Sequence, residues 1–275
     1  KLMYERLIQN GYITLFSPND VDGLYEAFFA DNDLFKKLYE EAEKNPLIRQ
    51  TKVKATDLFS LLALERSSTG RIYIQNVDHC NTNSPFDSTK CLIKQSNLCM
   101  EICLPTKPMD NILDEDGEVA LCTLSALNLG AIKNVAELEF TVDVAVRALD
   151  ALLDYQNYPI PAAKKSTLGR RSLGIGVINY AYWLAKQGLT YSGDKANNVT
   201  HELFEAIQYY CLKASNNLAK EVGACPYFDQ TSYSKGVMPI DRYKKDVDNL
   251  HTSKLLFNWD ELRQDILKYG LRNST

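Results

Sequence analysis

The chain has 275 residues, 45% of them hydrophobic and 24% charged, a globular composition that disordered chains do not have. Its formal net charge of -4 argues against a surface built to neutralise nucleic-acid phosphate. No apolar run reaches membrane-spanning length, and the opening KLMYERLIQNG lacks the apolar core of a signal peptide, so neither nucleic acid nor membrane is an expected partner. In chain order, Ser17-Pro18-Asn19-Asp20 predicts a helix start, and the apolar spacing of Leu24, Phe28, Phe35 and Leu38 predicts helix over about 21–44. Ala55, Leu58, Leu61 and Leu62 predict another over 53–66, ended by Gly70. Residues 71–75 read as a strand and 81–90 as a polar loop. Residues 96–104 alternate between two faces until Pro105, and 119–124 read as a short apolar strand after a turn at 114–117. Helices follow over 137–154, 200–222 and 259–269, with a strand over 172–177 in which Gly174 and Gly176 suggest close backbone approach. Strands separated by helices of this length imply crossovers, hence an α/β fold with largely parallel sheet.

Seven cysteines form an odd set, and five of them (Cys80, Cys91, Cys99, Cys103 and Cys122) cluster between positions 80 and 122. Without a secretion signal, an odd count does not read as a disulfide framework; a reducing, cytoplasmic setting with thiol or metal chemistry is expected. In an extended chain Asn97, Cys99, Glu101 and Cys103 would share one face, about 6–7 Å between successive members. One small substrate could then meet an amide, a carboxylate able to take a proton, and a thiol able to give a nucleophile or a hydrogen atom. The same pattern also fits a half-buried strand whose cysteines merely pack. The thiol spacings lack the CxxC pairs of a structural zinc site, and the three histidines show no HExxH-like spacing. Gly174-Ile175-Gly176 lacks the third glycine of a dinucleotide fingerprint, since position 179 is Asn. Arg170-Arg171 could bind an anion, although a solvated pair or a salt bridge is the simpler expectation.

At Gln95-Ser96-Asn97-Leu98-Cys99-Met100-Glu101-Ile102, followed by Leu104-Pro105-Thr106-Lys107-Pro108, the chain resembles the large, catalytic subunit of class I ribonucleotide reductases. Further blocks carry the resemblance: Gly70 to Tyr73, Asn76 to Asn81, Ala120 to Ser125, Arg147 to Asp150, Tyr158 to Pro161, Arg170 to Val177 and Gly223 to Pro226. It implies part of a ten-stranded α/β barrel: 1–95 the end of the first half, 96–118 a finger loop, and 119–275 the second five-stranded half. It implies reduction of ribonucleoside diphosphates, with Cys99 as the thiyl radical that takes the 3′-hydrogen of the ribose. Glu101 would be the base on the 3′-hydroxyl, Asn97 would hydrogen-bond the sugar, and Cys122 would be one of two thiols oxidised as water leaves. Cys91 and Cys103 are expected to be packing residues.

The resemblance also implies partners: the remainder of the large subunit, a small subunit carrying a di-iron/tyrosyl radical cofactor, and thioredoxin or glutaredoxin as reductant. No cofactor or metal is expected on this segment itself. The second redox thiol and the allosteric domain are expected upstream of residue 1, and a phosphate-binding loop after residue 275, so the chain is expected to be a piece of a longer polypeptide. A structural or assembly piece without activity of its own stays open as an alternative, as does, more remotely, a zinc-binding module.

Overall fold

The computed structural model describes residues 1–121, 123–242 and 249–274. They divide into two compact units: Lys1–Ser84 with Leu92–Leu104, and Pro85–Cys91 with the chain from Pro105 onward.

In the first unit, helix α1 (Leu2–Ile8) leads into strand β1 (Tyr12–Leu15), helices α2 (Leu24–Ala30) and α3 (Asn32–Ala42), strand β2 (Thr51–Lys54), then helices α4 (Ala55–Thr69) and α5 (Val77–Asn83). The strands β1 and β2 pair antiparallel, Tyr12 opposite Lys54 and Leu15 opposite Thr51. The single helix expected over 21–44 is broken in two. Asp31 leaves helical geometry, and its carboxylate accepts hydrogen bonds from the backbone N–H groups of Asp33 and Leu34, an N-cap that starts α3 afresh. Leu2, Leu24 and Tyr39 form the small core, with Phe16, Phe35 and Leu38 against it. Helix α4 ends at Gly70, whose φ of 68° gives the left-handed cap foreseen for it. Residues 71–75 are not a strand: among the described residues no strand pairs with them, and they run as irregular chain.

In the second unit, strand β3 (Thr123–Asn128) leads through helices α6 (Glu137–Tyr155) and α7 (Pro161–Arg170) to strand β4 (Leu173–Ile178). The two strands pair in parallel, Thr123 opposite Leu173 and Asn128 opposite Ile178, so α6 and α7 form the expected crossover. The strand read at 119–124 therefore lies further along the chain. Helix α6 buries Leu138, Val142, Val146, Leu149 and Leu153, a stripe at helical spacing, against β3 and β4 on one side and α9 (Asp194–Val222) on the other. Short helix α8 (Tyr180–Lys186) precedes α9, and α10 (Trp259–Tyr269) packs on it through Trp259, Leu262 and Ile266. The buried carboxylate of Glu205 on α9 accepts from the N–H groups of Leu256 and Phe257 and from Trp259 Nε1, fixing the approach to α10. A Cβ at Gly176 would meet Ser125 O at 3.9 Å, ordinary contact, so no close backbone approach requires that glycine.

Parallel and antiparallel strands with intervening helices make this an α/β chain. Among the described residues the strands form two separate two-stranded sheets and close no barrel. No helix among them is long and apolar enough to cross a membrane.

Candidate active site at the 93–104 loop

The loop is built on α5. Asn81 donates from Nδ2 to the carbonyls of Val77 (3.1 Å) and Ile93 (2.9 Å), and its Oδ1 accepts from Ile93 N–H at 2.8 Å. The amide thus pairs with Ile93 as a neighbouring strand would, and Ile93 is fully buried. Beyond Ile93 the backbone turns back on itself. Met100 N–H donates to Asn97 O at 3.1 Å, closing a turn with Leu98 and Cys99 at its centre. Met100 takes up a left-handed φ of 65°. Asn97 Oδ1 then accepts from Ile102 N–H at 3.1 Å, and Ser96 Oγ donates across the base of the loop to Ile102 O at 2.9 Å.

This geometry corrects the extended reading of 96–104. An Asn side chain that captures a backbone N–H offers the chain an alternative to a sheet ladder, and here the turn wins. The strict alternation that would align Asn97, Cys99, Glu101 and Cys103 is lost at the turn. Asn97 is half-buried with its oxygen held inside the loop, whereas Cys99 and Glu101 are exposed around the apex. Leu98, beside Cys99, is 88% exposed.

Cys103 lies on the returning leg, beside the helix. Its sulfur is 3.8 Å from Cys80 Sγ on α5, and Gln75 Nε2 lies 3.6 Å from one sulfur and 3.9 Å from the other. Burial, then the adjacent Cys80, push the Cys103 thiol above its ordinary range. Cys103 is therefore half of a thiol pair, which its sequence spacing did not reveal. Cys91 is half-buried, its sulfur 3.7 Å from the carbonyls of Asp87 and Gln230 and its thiol pushed up chiefly by burial. Cys122 lies outside the described residues.

The segment that leads toward position 122 is firmly held. Asp114 carries the expected turn, its carboxylate accepting from the N–H groups of Asp110, Asp116 and Gly117; those bonds hold its pKa down. Lys107 and Glu118 exchange backbone hydrogen bonds at 3.0 Å, and Glu118 Oε2 sits 2.6 Å from Arg170 Nη2. Both arginines of the 170–171 pair are buried in salt bridges, Arg171 with Asp150 at 2.7 Å and Asp154 at 2.8 Å. The anion-binding alternative for this pair gives way to these internal partners. Among the described residues no group of three or more His, Cys, Asp or Glu is arranged to hold a metal ion. His201 and His251 instead stack ring on ring, centroids 3.6 Å apart.

Two features of the loop escaped the sequence reading. Asn81 sits in a stretch read simply as a polar loop, yet it is the residue that fixes the loop's entry. Ser96 is the other: a Ser-Asn pair ahead of a short exposed segment is a turn-forming signal that could have been weighed against the alternation.

Comparison with known proteins gives the lineage. The chain is similar over all 275 residues to the ribonucleoside-diphosphate reductase subunit alpha of Haemophilus influenzae, at 66% identity. It is 64% identical to the ribonucleoside-diphosphate reductase 1 subunit alpha of Escherichia coli and 48% identical to the corresponding subunit alpha of phage T4. In each case the match covers the whole chain but 36% of the relative, so the chain spans about a third of the length of the curated relatives it matches. The family model described as the barrel domain of ribonucleotide reductase matches residues 1–275, and the chain belongs to that family.

Proposed function

We propose that this chain is the catalytic segment of a ribonucleoside-diphosphate reductase large subunit, reducing ribonucleoside diphosphates to deoxyribonucleoside diphosphates by radical chemistry. The observation that carries the reading is the loop apex: a family match across the whole chain coincides with an exposed thiol, Cys99, on a turn closed by Asn97 and Ser96. In this reading Cys99, as a thiyl radical, takes the 3′-hydrogen of the ribose and returns it at the end of the cycle. Glu101 accepts the 3′-hydroxyl proton. Asn97, its oxygen engaged by Ile102 N–H, offers its Nδ2 group to the sugar. Cys122 and a second thiol elsewhere in the longer subunit supply two hydrogens and two electrons; the 2′-hydroxyl leaves as water and the two sulfurs join. Thioredoxin or glutaredoxin then reduces that disulfide.

The radical is supplied by a partner small subunit carrying a di-iron/tyrosyl centre. The finger loop is assigned to 96–118, between half-barrel segments 1–95 and 119–275 that close into a ten-stranded barrel with the rest of the subunit. Turnover belongs to that assembly. The short coverage of the relatives favours a segment that contributes residues rather than one that acts alone.

The test is a Cys99→Ser variant in the complete subunit, assayed with the small subunit, reductant and a ribonucleoside diphosphate. Deoxynucleotide formation is expected to fall to background while substrate binding persists; turnover near the wild-type rate would overturn the assignment. A Glu101→Gln variant is expected to lose roughly 10²–10⁴ in kcat, the usual worth of a positioned base, with little change in substrate affinity.

A further inference from the structure

We propose that Cys80 and Cys103 are a redox pair separate from Cys99 and Cys122. The pair closes to a disulfide by exchange with a low-molecular-weight disulfide such as oxidised glutathione, and the bridge restrains the loop that carries Cys99.

The two sulfurs are 3.8 Å apart, so forming an S–S bond of about 2.05 Å asks for an approach of roughly 1.8 Å, within reach of side-chain rotation. Both residues are half-buried, protected yet reachable, whereas Cys225 is buried and its thiol is pushed up to about 11. They also sit on two different structural parts: Cys80 within α5, and Cys103 on the returning leg just past Ile102, whose backbone closes the Cys99 turn. Gln75 contacts both sulfurs and steadies the pair.

The chemistry balances through ordinary thiol–disulfide exchange. One cysteine thiolate attacks the small disulfide, breaking its S–S bond and releasing one thiol. The second cysteine thiolate attacks the resulting mixed disulfide, forming the Cys80–Cys103 bond and releasing the second thiol. The two protons end on the released thiols; the protein pair is oxidised and the small disulfide is reduced. Because the thiolate is the reacting form and Cys103 titrates above its ordinary range, closure is expected to speed up as pH rises through the alkaline range. Once formed, the bond ties α5 to the loop a second time, beyond the Asn81–Ile93 hydrogen bonds.

The pair itself does not depend on the reductase reading, although the consequence of the restraint for turnover does. The test uses the intact polypeptide that contains this chain, incubated with oxidised glutathione, blocked with an alkylating agent, digested and analysed by tandem mass spectrometry. The expected product links the peptide carrying Cys80 to the one carrying Cys99, Cys103 and Cys122, with fragmentation locating the bond at Cys103 and dithiothreitol reversing it. In the same sample, amide exchange over 98–102 is expected to slow by at least about tenfold. The link is expected to survive Cys99→Ser and to vanish in Cys103→Ala. Because fragmentation of the wild-type product locates the bond directly, the result stands even where a variant fails to fold. Free, fully alkylated Cys80 and Cys103 after treatment would overturn the proposal. So would a bond from Cys80 to Cys99, or a correct bond that leaves loop exchange unchanged.

Discussion

Asn97 uses its side-chain oxygen as a backbone acceptor, and this single substitution of partners decides the shape of the candidate site. With Oδ1 bound to Ile102 N–H and the Asn97 carbonyl bound to Met100 N–H, the chain between them has no option but to bow outward and carry Cys99 at the apex. Asn97→Ala removes the acceptor, at a cost of about 1 kcal/mol for a half-buried hydrogen bond. The expected result is faster amide exchange at Ile102 and a looser loop. Asn97→Asp keeps an acceptor in place, so exchange at Ile102 is expected to remain slow, and its failure to do so would show that the amide nitrogen, not the oxygen, holds the turn. The residue types of the site were legible in the sequence, because an amide, a thiol and a carboxylate so close together are chemically conspicuous. Their arrangement was not. A period-two pattern is satisfied equally by a strand and by a segment whose own side chains replace the ladder, and alternation says nothing about which acceptors will be present.

Helices declared themselves where their buried face is built from large apolar side chains, as in α6 with Leu138, Val142, Leu149 and Leu153, and in α10 with Trp259, Leu262 and Ile266. Helix α7 was invisible to the same reasoning because its buried face is Ala162, Ala163, Ser166, Thr167 and Gly169, small and partly polar groups that leave no hydropathy signal. The antiparallel pair β1–β2 hid for a related reason: the lysines Lys52 and Lys54 give β2 little hydrophobic content over four residues. Small residues on α7 serve close packing. A Cβ at Gly169 would lie 2.5 Å from Cε2 of Tyr227, and that ring in turn sits under the Arg170 guanidinium, 5.2 Å from its centroid. Gly169→Ala gains about 1 kcal/mol of helix propensity but forces the ring aside, an overpacking cost of about 1–3 kcal/mol. We expect net destabilisation, read as a lower urea midpoint. A higher midpoint would mean that Tyr227 moves freely and that its packing on α7 and Arg170 is unimportant.

Within the larger unit, parts of the chain far apart in sequence are joined by charge as much as by apolar packing. Arg171, at the C-cap of α7, binds Asp150 and Asp154 on α6; Asp150 also meets Arg272 and Asn273 near the end of the described chain. Asp87 plays the corresponding part for the 85–91 segment, accepting from Lys235 Nζ and from both the hydroxyl and the N–H of Thr89. Salt bridges were an expectation for Arg170-Arg171, but the pairing itself was not legible in the sequence, since opposite charges abound and only the fold selects among them, from Asp154 17 residues before Arg171 to Lys235 148 residues after Asp87. Its signature is a pH dependence with a definite sign. The Lys235 bond, then those from Thr89, hold the Asp87 carboxyl at about 2, below its ordinary value of 3.8. Asp154, Asp241 and Glu221 are likewise held down, chiefly by their arginine partners. A carboxylate whose folded pKa is depressed adds stability that is complete above its unfolded pKa and disappears as pH falls through the folded one. Urea midpoints are therefore expected to hold steady down to about pH 5 and then to drop between about pH 4 and 2. Asp87→Asn should be less stable than the wild type at neutral pH, with the two curves converging toward pH 2. Parallel curves over that window would show that the Asp87 carboxylate gains nothing from Lys235 and Thr89 on folding, and that the 85–91 segment is held by its other ties, the backbone bonds to Gln230 and Ser232 and the Lys90–Asp229 ion pair.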